Sequence, residues 1–173
     1  MGDAPAGWTE LSSRVPAFLS RHLLTAGLAG DGKLCSWRLF MSPDATALCA
    51  RAELGGGALC GHPGVAHGGL LAALIDDACG ALFIAGGRSG YTAALNVNYK
   101  APVMLADSGS TTTLVVDVTL EREEASASRP GAKKVFFAAT VRGGSTVHTT
   151  ASVLFVTKAV PGSFNAAAAA APQ

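Results

Sequence analysis

The chain has 173 residues, 49% of them hydrophobic, with 13 Lys+Arg against 12 Asp+Glu for a formal net charge of +1. Alanine fills 33 positions, so the larger apolar side chains suffice for one core and not for two. Near-neutral charge argues against a protein that coats nucleic acid or an anionic membrane. No apolar stretch reaching about 18 residues is evident, so no stable membrane insertion is expected.

At the N-terminus, residues 1–32 read as an extension containing a helix over Ala17–Thr25. Arg14, Arg21 and several serines give this segment some transit-peptide character, against which Asp3, Glu10 and Pro16 stand. A cytoplasmic location is expected, with the mitochondrial matrix as the alternative. Cys35, Cys49, Cys60 and Cys79 contain no C-x-x-C pair. They read as reduced, mostly buried thiols rather than metal ligands, and no metal site is expected.

Leu34–Met41 and Thr46–Leu54 follow as two strands joined by the turn string Ser42-Pro43-Asp44-Ala45. From His67 to about Ala85, Leu70, Leu71, Leu74, Ile75, Ala78 and Leu82 recur at helical spacing, and Gly86-Gly87 stops the helix. Gly69, Ala72, Ala73 and Gly80 leave the rest of its surface small, so backbone or ligand can approach closely. The period then changes to two. Over Tyr91–Lys100, odd positions are apolar and even ones mostly polar, which puts Thr92 and Asn96 on a polar face. Thr111–Glu121, Lys133–Arg142 and Thr146–Thr157 are three more strands, the last two joined at Gly143-Gly144. The layout is α+β, an antiparallel sheet of about six strands wrapped around one long helix. Residues 33–158 form this domain, and 159–173 read as a flexible, alanine-rich tail.

The string His62-Pro63-Gly64-Val65-Ala66-His67-Gly68-Gly69-Leu70, followed by Leu74-Ile75-Asp76-Asp77, resembles the hotdog-fold acyl-CoA thioesterases, closest to the PaaI-like and thioesterase-superfamily-member type. In that family a His-Gly-Gly opens the central helix and an acid follows nine positions after the histidine, as Asp76 follows His67 here. A Ser or Thr early in the next strand, before a Leu-Asn-Val-like string, is matched by Thr92 and Leu95-Asn96-Val97, and Tyr99-Lys100-Ala101-Pro102 is similar to the usual strand ending. The likeness covers roughly Cys35 to Thr157. One departure is Gly61, where some relatives carry an asparagine six residues before the histidine; His62 stands beside it. The resemblance implies a hotdog fold, hydrolysis of acyl-CoA to free acid and CoA, and no cofactor. It also implies a homodimer, which could pair further into a dimer of dimers.

Elementary chemistry supports the same residues. The first amides of a helix lack intrahelical acceptors, and Gly68 and Gly69 leave theirs open to a ligand oxygen, as an oxyanion hole requires. Asp76, on an apolar helix, is costly to bury unless used, and it is the candidate base or nucleophile. Asp77 points about 100° away and is the weaker candidate. Thr92 is placed to hold the water or the carboxylate. His67 either caps the helix, orients the loop or touches the thioester sulfur; no role falls to His22 or His148. For the phosphates of coenzyme A, Arg129, Lys133 and Lys134 form the expected cationic patch, with His62 and Asn96 as further binding candidates. Eight residues along one helix span about 12 Å, too far for Gly68 and Asp76 of one chain to act on one carbonyl. A catalytic reading therefore requires an isologous dimer. Two other readings compete: a non-catalytic acyl-CoA binding module, and an enoyl or 3-hydroxyacyl thioester hydratase or dehydratase.

Overall fold

A computed structural model of the chain describes residues 4–11, 22–106 and 109–158. Its centre is helix α1, Gly68–Ala85, on which Leu70, Leu71, Leu74, Ile75, Ala78, Cys79, Leu82 and Phe83 are buried. His67 caps its start and Gly86 its end, as the glycine pair predicts. This helix corrects one expectation: by length and composition, with a mean hydropathy of 1.7 over 18 residues, it would pass for a membrane-crossing one. It is instead the core helix of the sheet described next.

The strands are β1 (Thr9–Glu10), β2 (Leu34–Met41), β3 (Ala47–Gly55), β4 (Cys60–His62), β5 (Val65–Ala66), β6 (Gly90–Tyr99), β7 (Thr111–Ala125), β8 (Lys133–Gly143) and β9 (Thr146–Thr157). Seven form one sheet in the order β1-β2-β3-β7-β8-β9-β6, with every neighbouring pair antiparallel. Six of these are the expected long strands. The two-residue β1 and the small β4–β5 hairpin just before α1 are additions.

One face of the sheet packs on the helix. Leu48, Ala50, Ala52 and Leu54 of β3 alternate inward, as do Leu114, Val116 and Val118 of β7 and Val135, Phe137, Ala139 and Val141 of β8. Phe83 of α1 stacks on Phe155 of β9 with ring centroids 4.8 Å apart, and Phe137 meets Phe155 edge-on at 5.7 Å. Residues buried in this core stabilise the fold by about 25 cal/mol per Å² of apolar surface removed from water.

Register shifts break the simple alternation in several strand pairs, and two of them bear on the site. In β6, Thr92 pairs with Phe155 and Ala94 with Leu154, so Ala93 is an extra residue. Thr92 therefore shares the inward face with Leu95, Val97 and Tyr99, whereas unbroken alternation puts it on the opposite, polar face. In β7, Glu121 is the extra residue, and β7 continues to Ala125 rather than ending at Glu121. The bulge turns Glu123 inward, where Arg88, just past α1, ion-pairs with it.

The helix expected over Ala17–Thr25 lies mostly outside the described residues; within them, Leu23–Gly27 forms one π turn. The expected tail, 159–173, lies outside the described residues.

Candidate active site

At the start of α1, the His67 ring folds back so that Nδ1 accepts the Gly69 N–H at 2.9 Å. An accepting Nδ1 leaves the neutral ring's proton on Nε2, which remains a donor. Of the two amides expected to bind an oxyanion, Gly69's is thus taken by the cap. Gly68's has no acceptor among the described residues. The Gly68 carbonyl accepts the Tyr99 hydroxyl at 2.8 Å, and a Cβ at position 68 would sit 3.2 Å from the Tyr99 ring. That close approach is what the missing side chain permits. Gly61, the site of the family's asparagine, is equally tight: a Cβ there would lie 3.2 Å from the His67 Cα and ring. A hollow of about 500 Å³ adjoins this segment, lined by Gly56, Gly57, Gly61, His62, Gly64 and Leu105 among others.

Two turns further along α1, Asp76 and Asp77 are half-buried in a second hollow of about 260 Å³. Asp76 accepts the Thr92 hydroxyl on Oδ1 at 2.8 Å. Its other oxygen has no protein donor among the described residues. Asp77 is held on both oxygens. The Trp37 indole N–H donates to Oδ2 at 2.6 Å, and His22 Nε2 lies 3.0 Å from Oδ1. Burial pushes the Asp77 carboxyl above the usual aspartate range; the Trp37 hydrogen bond and His22 pull the other way, and the neighbouring Asp76 charge adds to the rise. Thr25 of the π turn, Trp37 and Leu39 of β2, Thr92 of β6, Phe155 of β9 and Gly80, Ala81 and Ile84 of α1 complete the hollow.

The two hollows share no lining residue. Gly68 and Asp76 are eight residues apart on one continuous helix, so they stand about 12 Å apart in one chain.

The remaining candidates are dispersed. Asn96 is exposed and pairs with exposed Ser152, on the face of the sheet turned away from α1. Lys133 and Lys134, as strand neighbours, point to opposite faces. Lys133 Nζ lies 3.4 Å from Glu123, a carboxylate already engaged by Arg88. Arg129 is exposed in the β7–β8 connection. Arg129 thus lies in the connection that leads into β8, whose first two residues are Lys133 and Lys134. His62 is exposed beside the glycine-lined hollow. His148 sits 3.4 Å from the Ala101 carbonyl, away from both hollows. His22 and Trp37 are additions to the site that sequence reasoning does not find. Nothing local marks them, because their meeting with Asp77 is a tertiary event.

Comparison with known proteins finds similar sequences and similar folds. The thioesterase superfamily matches residues 63–126, from the hairpin before α1 through β7. The acyl-coenzyme A thioesterase THEM4 of Xenopus laevis is 34% identical over 100 residues, 56% of this chain and 39% of that one. A solved thioesterase superfamily protein superposes with a TM-score of 0.55 at 25% identity, covering 69% of this chain and 53% of its own. A hypothetical thioesterase from Streptococcus pneumoniae, solved with coenzyme A, gives a TM-score of 0.59 at 16% identity over 71% of this chain and 86% of that one. The chain thus spans about two-fifths of the curated relative and about half of the first of these structures. The match to the thioesterase superfamily covers residues 63–126, and the helix and its enclosing sheet have the hotdog fold.

Proposed function

We propose that the chain hydrolyses an acyl-CoA thioester to the free acid and CoA, with Asp76 as the base. The observation that carries this reading is the asymmetry of the two neighbouring carboxylates. Asp77 is bonded on both oxygens, whereas Asp76 is bonded on one by Thr92 and keeps the other for a water. Asp76 takes a proton from that water, and the hydroxide adds to the thioester carbonyl carbon. The carbonyl oxygen becomes an oxyanion, for which the Gly68 N–H at the positive end of α1 is the available donor. Collapse breaks the C–S bond, and the CoA thiolate leaves and is protonated. His67 Nε2–H is placed on the same helix start as a second donor.

Because Gly68 and Asp76 of one chain are too far apart, the reading requires a second protomer. Its support is β6, a ten-residue strand that ends the sheet and, among the described residues, pairs on one side only. A long unpaired edge is a template for a second chain. It carries Thr92 beside Asp76, and its Tyr91 and Tyr99 are 67% and 54% exposed. A two-fold about this edge would carry a partner's α1 start toward Asp76, giving two equivalent composite sites.

The test is thiol release from a panel of acyl-CoAs by the wild type and by Asp76→Asn. Release by the wild type that falls at least about a hundredfold in the variant supports the reading. Absence of release on every substrate, or equal rates in the two proteins, overturns it.

A further inference from the structure

Three glycines meet at the start of α1, and each leaves room for a ring. A Cβ at Gly69 would stand 2.9 Å from His67 Nδ1, and one at Gly61 would stand 3.2 Å from the His67 ring. One at Gly68 would stand 3.2 Å from the ring and hydroxyl of Tyr99. Two glycines in the first turn weaken a helix relative to alanine, so this bareness costs stability. What it permits is the close seating of two rings, His67 and Tyr99, against one peptide unit.

That unit joins Gly68 to Gly69. Its carbonyl accepts the Tyr99 hydroxyl at 2.8 Å, and its N–H donates to His67 Nδ1 at 2.9 Å. Hydrogen bonds at the two ends of one peptide polarise it in the same sense and strengthen each other. The His67 backbone is held separately, by its N–H on the Leu59 carbonyl at 2.8 Å. For the ring, the Gly69 N–H is the one hydrogen-bond partner among the described residues. A neutral histidine in water passes its proton between Nδ1 and Nε2, and a donor on Nδ1 selects the form with the proton on Nε2. Tyr99 is the last residue of β6, the edge strand that also carries Thr92 beside Asp76. Its side chain thus ties that strand to the helix start.

We infer that Tyr99 is a positioning residue. Through the Gly68–Gly69 peptide it holds the His67 ring in the Nε2–H form and keeps that proton available as a donor at the helix start. The use of the donor rests on the thioesterase reading; the positioning itself is measured without turnover. The experiment is NMR on the ¹⁵N-labelled full chain at about pH 8, where histidine is ordinarily neutral. It compares the wild type with Tyr99→Phe, which removes only the hydroxyl, and with Gly68→Val, whose side chain takes the space of the Tyr99 ring.

In the wild type the His67 ring nitrogens should report one tautomer, Nε2–H. Tyr99→Phe should mix the tautomers and speed solvent exchange of the Gly69 amide by about threefold to tenfold, the ratio that losing one neutral hydrogen bond gives. Amides from Leu74 to Leu82 should change by less than about twofold, because their own helical bonds are untouched. Gly68→Val should give the same His67 and Gly69 signature even if Tyr99→Phe folds poorly. On an acyl-CoA that the wild type hydrolyses, Tyr99→Phe should lower kcat by about the same factor with KM nearly constant, and that effect should vanish when His67 is already alanine.

A single His67 tautomer with unchanged Gly69 exchange in both variants overturns the inference. So does faster exchange spread evenly along α1, which would make Tyr99 a strut for the whole helix. A wild type that hydrolyses no acyl-CoA while these NMR changes occur sinks the hydrolytic reading and leaves the positioning of His67 standing. Turnover without the NMR changes does the reverse.

Discussion

The two hollows beside α1 are made of different material. The one at the β4–β5 hairpin that precedes the helix is lined by glycines, Cys60, His62, Pro63 and Leu105. The one around Asp76 is walled by Trp37, Leu39, Ile84 and Phe155, with two carboxylates at one end. The Gly68 amide and Asp76 stand about 12 Å apart on one helix. On the proposed reading, that separation makes assembly of two chains a condition of chemistry. The two carboxylates tolerate adjacent positions on an apolar helix because Asp77 is consumed by Trp37 and His22 in building the wall, and Asp76 is left for use.

Several substitutions would break or sharpen that contrast. The largest effect is expected at Asp76, where Asn should lower kcat by about a hundredfold or more with stability nearly unchanged, since loss of a general base costs about 10²–10⁴. Removing the neighbouring hydroxyl with Thr92→Val should cost about tenfold in kcat, equivalent to about 1.4 kcal/mol, with little change in KM. If Thr92→Val raises KM alone, the hydroxyl holds ligand rather than the carboxylate.

Asp77→Asn should change stability and its pH dependence more than catalysis. Burial raises the Asp77 pKa above its ordinary 3.8, so the carboxyl favours folding when protonated and loses that contribution as pH rises through its folded value. The variant, which has no proton to lose there, should therefore give up less stability than the wild type as pH rises above about 4. The difference between the wild-type and Asp77→Asn stability curves, measured by urea denaturation, isolates this group from Glu123, which shifts downward. Burial works against that downward shift, and the bonds from Arg88 and Lys133 outweigh it. A flat difference across the window would mean that Asp77 is not desolvated as described. The smallest effect is expected at Lys133→Ala, less than about twofold in KM, because Lys133 is exposed and paired with Glu123 rather than held free for phosphate.

Much of this arrangement is legible in the residues. Helical spacing of Leu70, Leu74, Ala78 and Leu82 and the Gly86-Gly87 stop place α1 to within a residue, because both signals are local. The acid nine positions after His67 is equally local. The face that Thr92 takes on β6 is not legible. Period two reads straight through Ala93, and the bulge there is set by the pairing of β6 with β9, which no single strand announces. The same holds for Glu121 and the inward turn of Glu123. The opposite facing of Lys133 and Lys134 is legible as well, because neighbours in a strand point to opposite faces. The bond from the Gly69 amide to the His67 ring is not legible either, since spacing alone leaves the competition between cap and ligand undecided.

The central claim, that a productive site takes Gly68 from one chain and Asp76 from another, is tested most directly by subunit complementation. Asp76→Asn and Gly68→Val proteins, each inactive by itself, are mixed in equal amounts, unfolded and refolded together, and assayed for thiol release. With random pairing, about half of the dimers are mixed and each holds one intact composite site, so activity should return to about a quarter of the wild-type value. Mixed dimers that form, as seen by exchange of differently tagged chains, and yet release no thiol would contradict it.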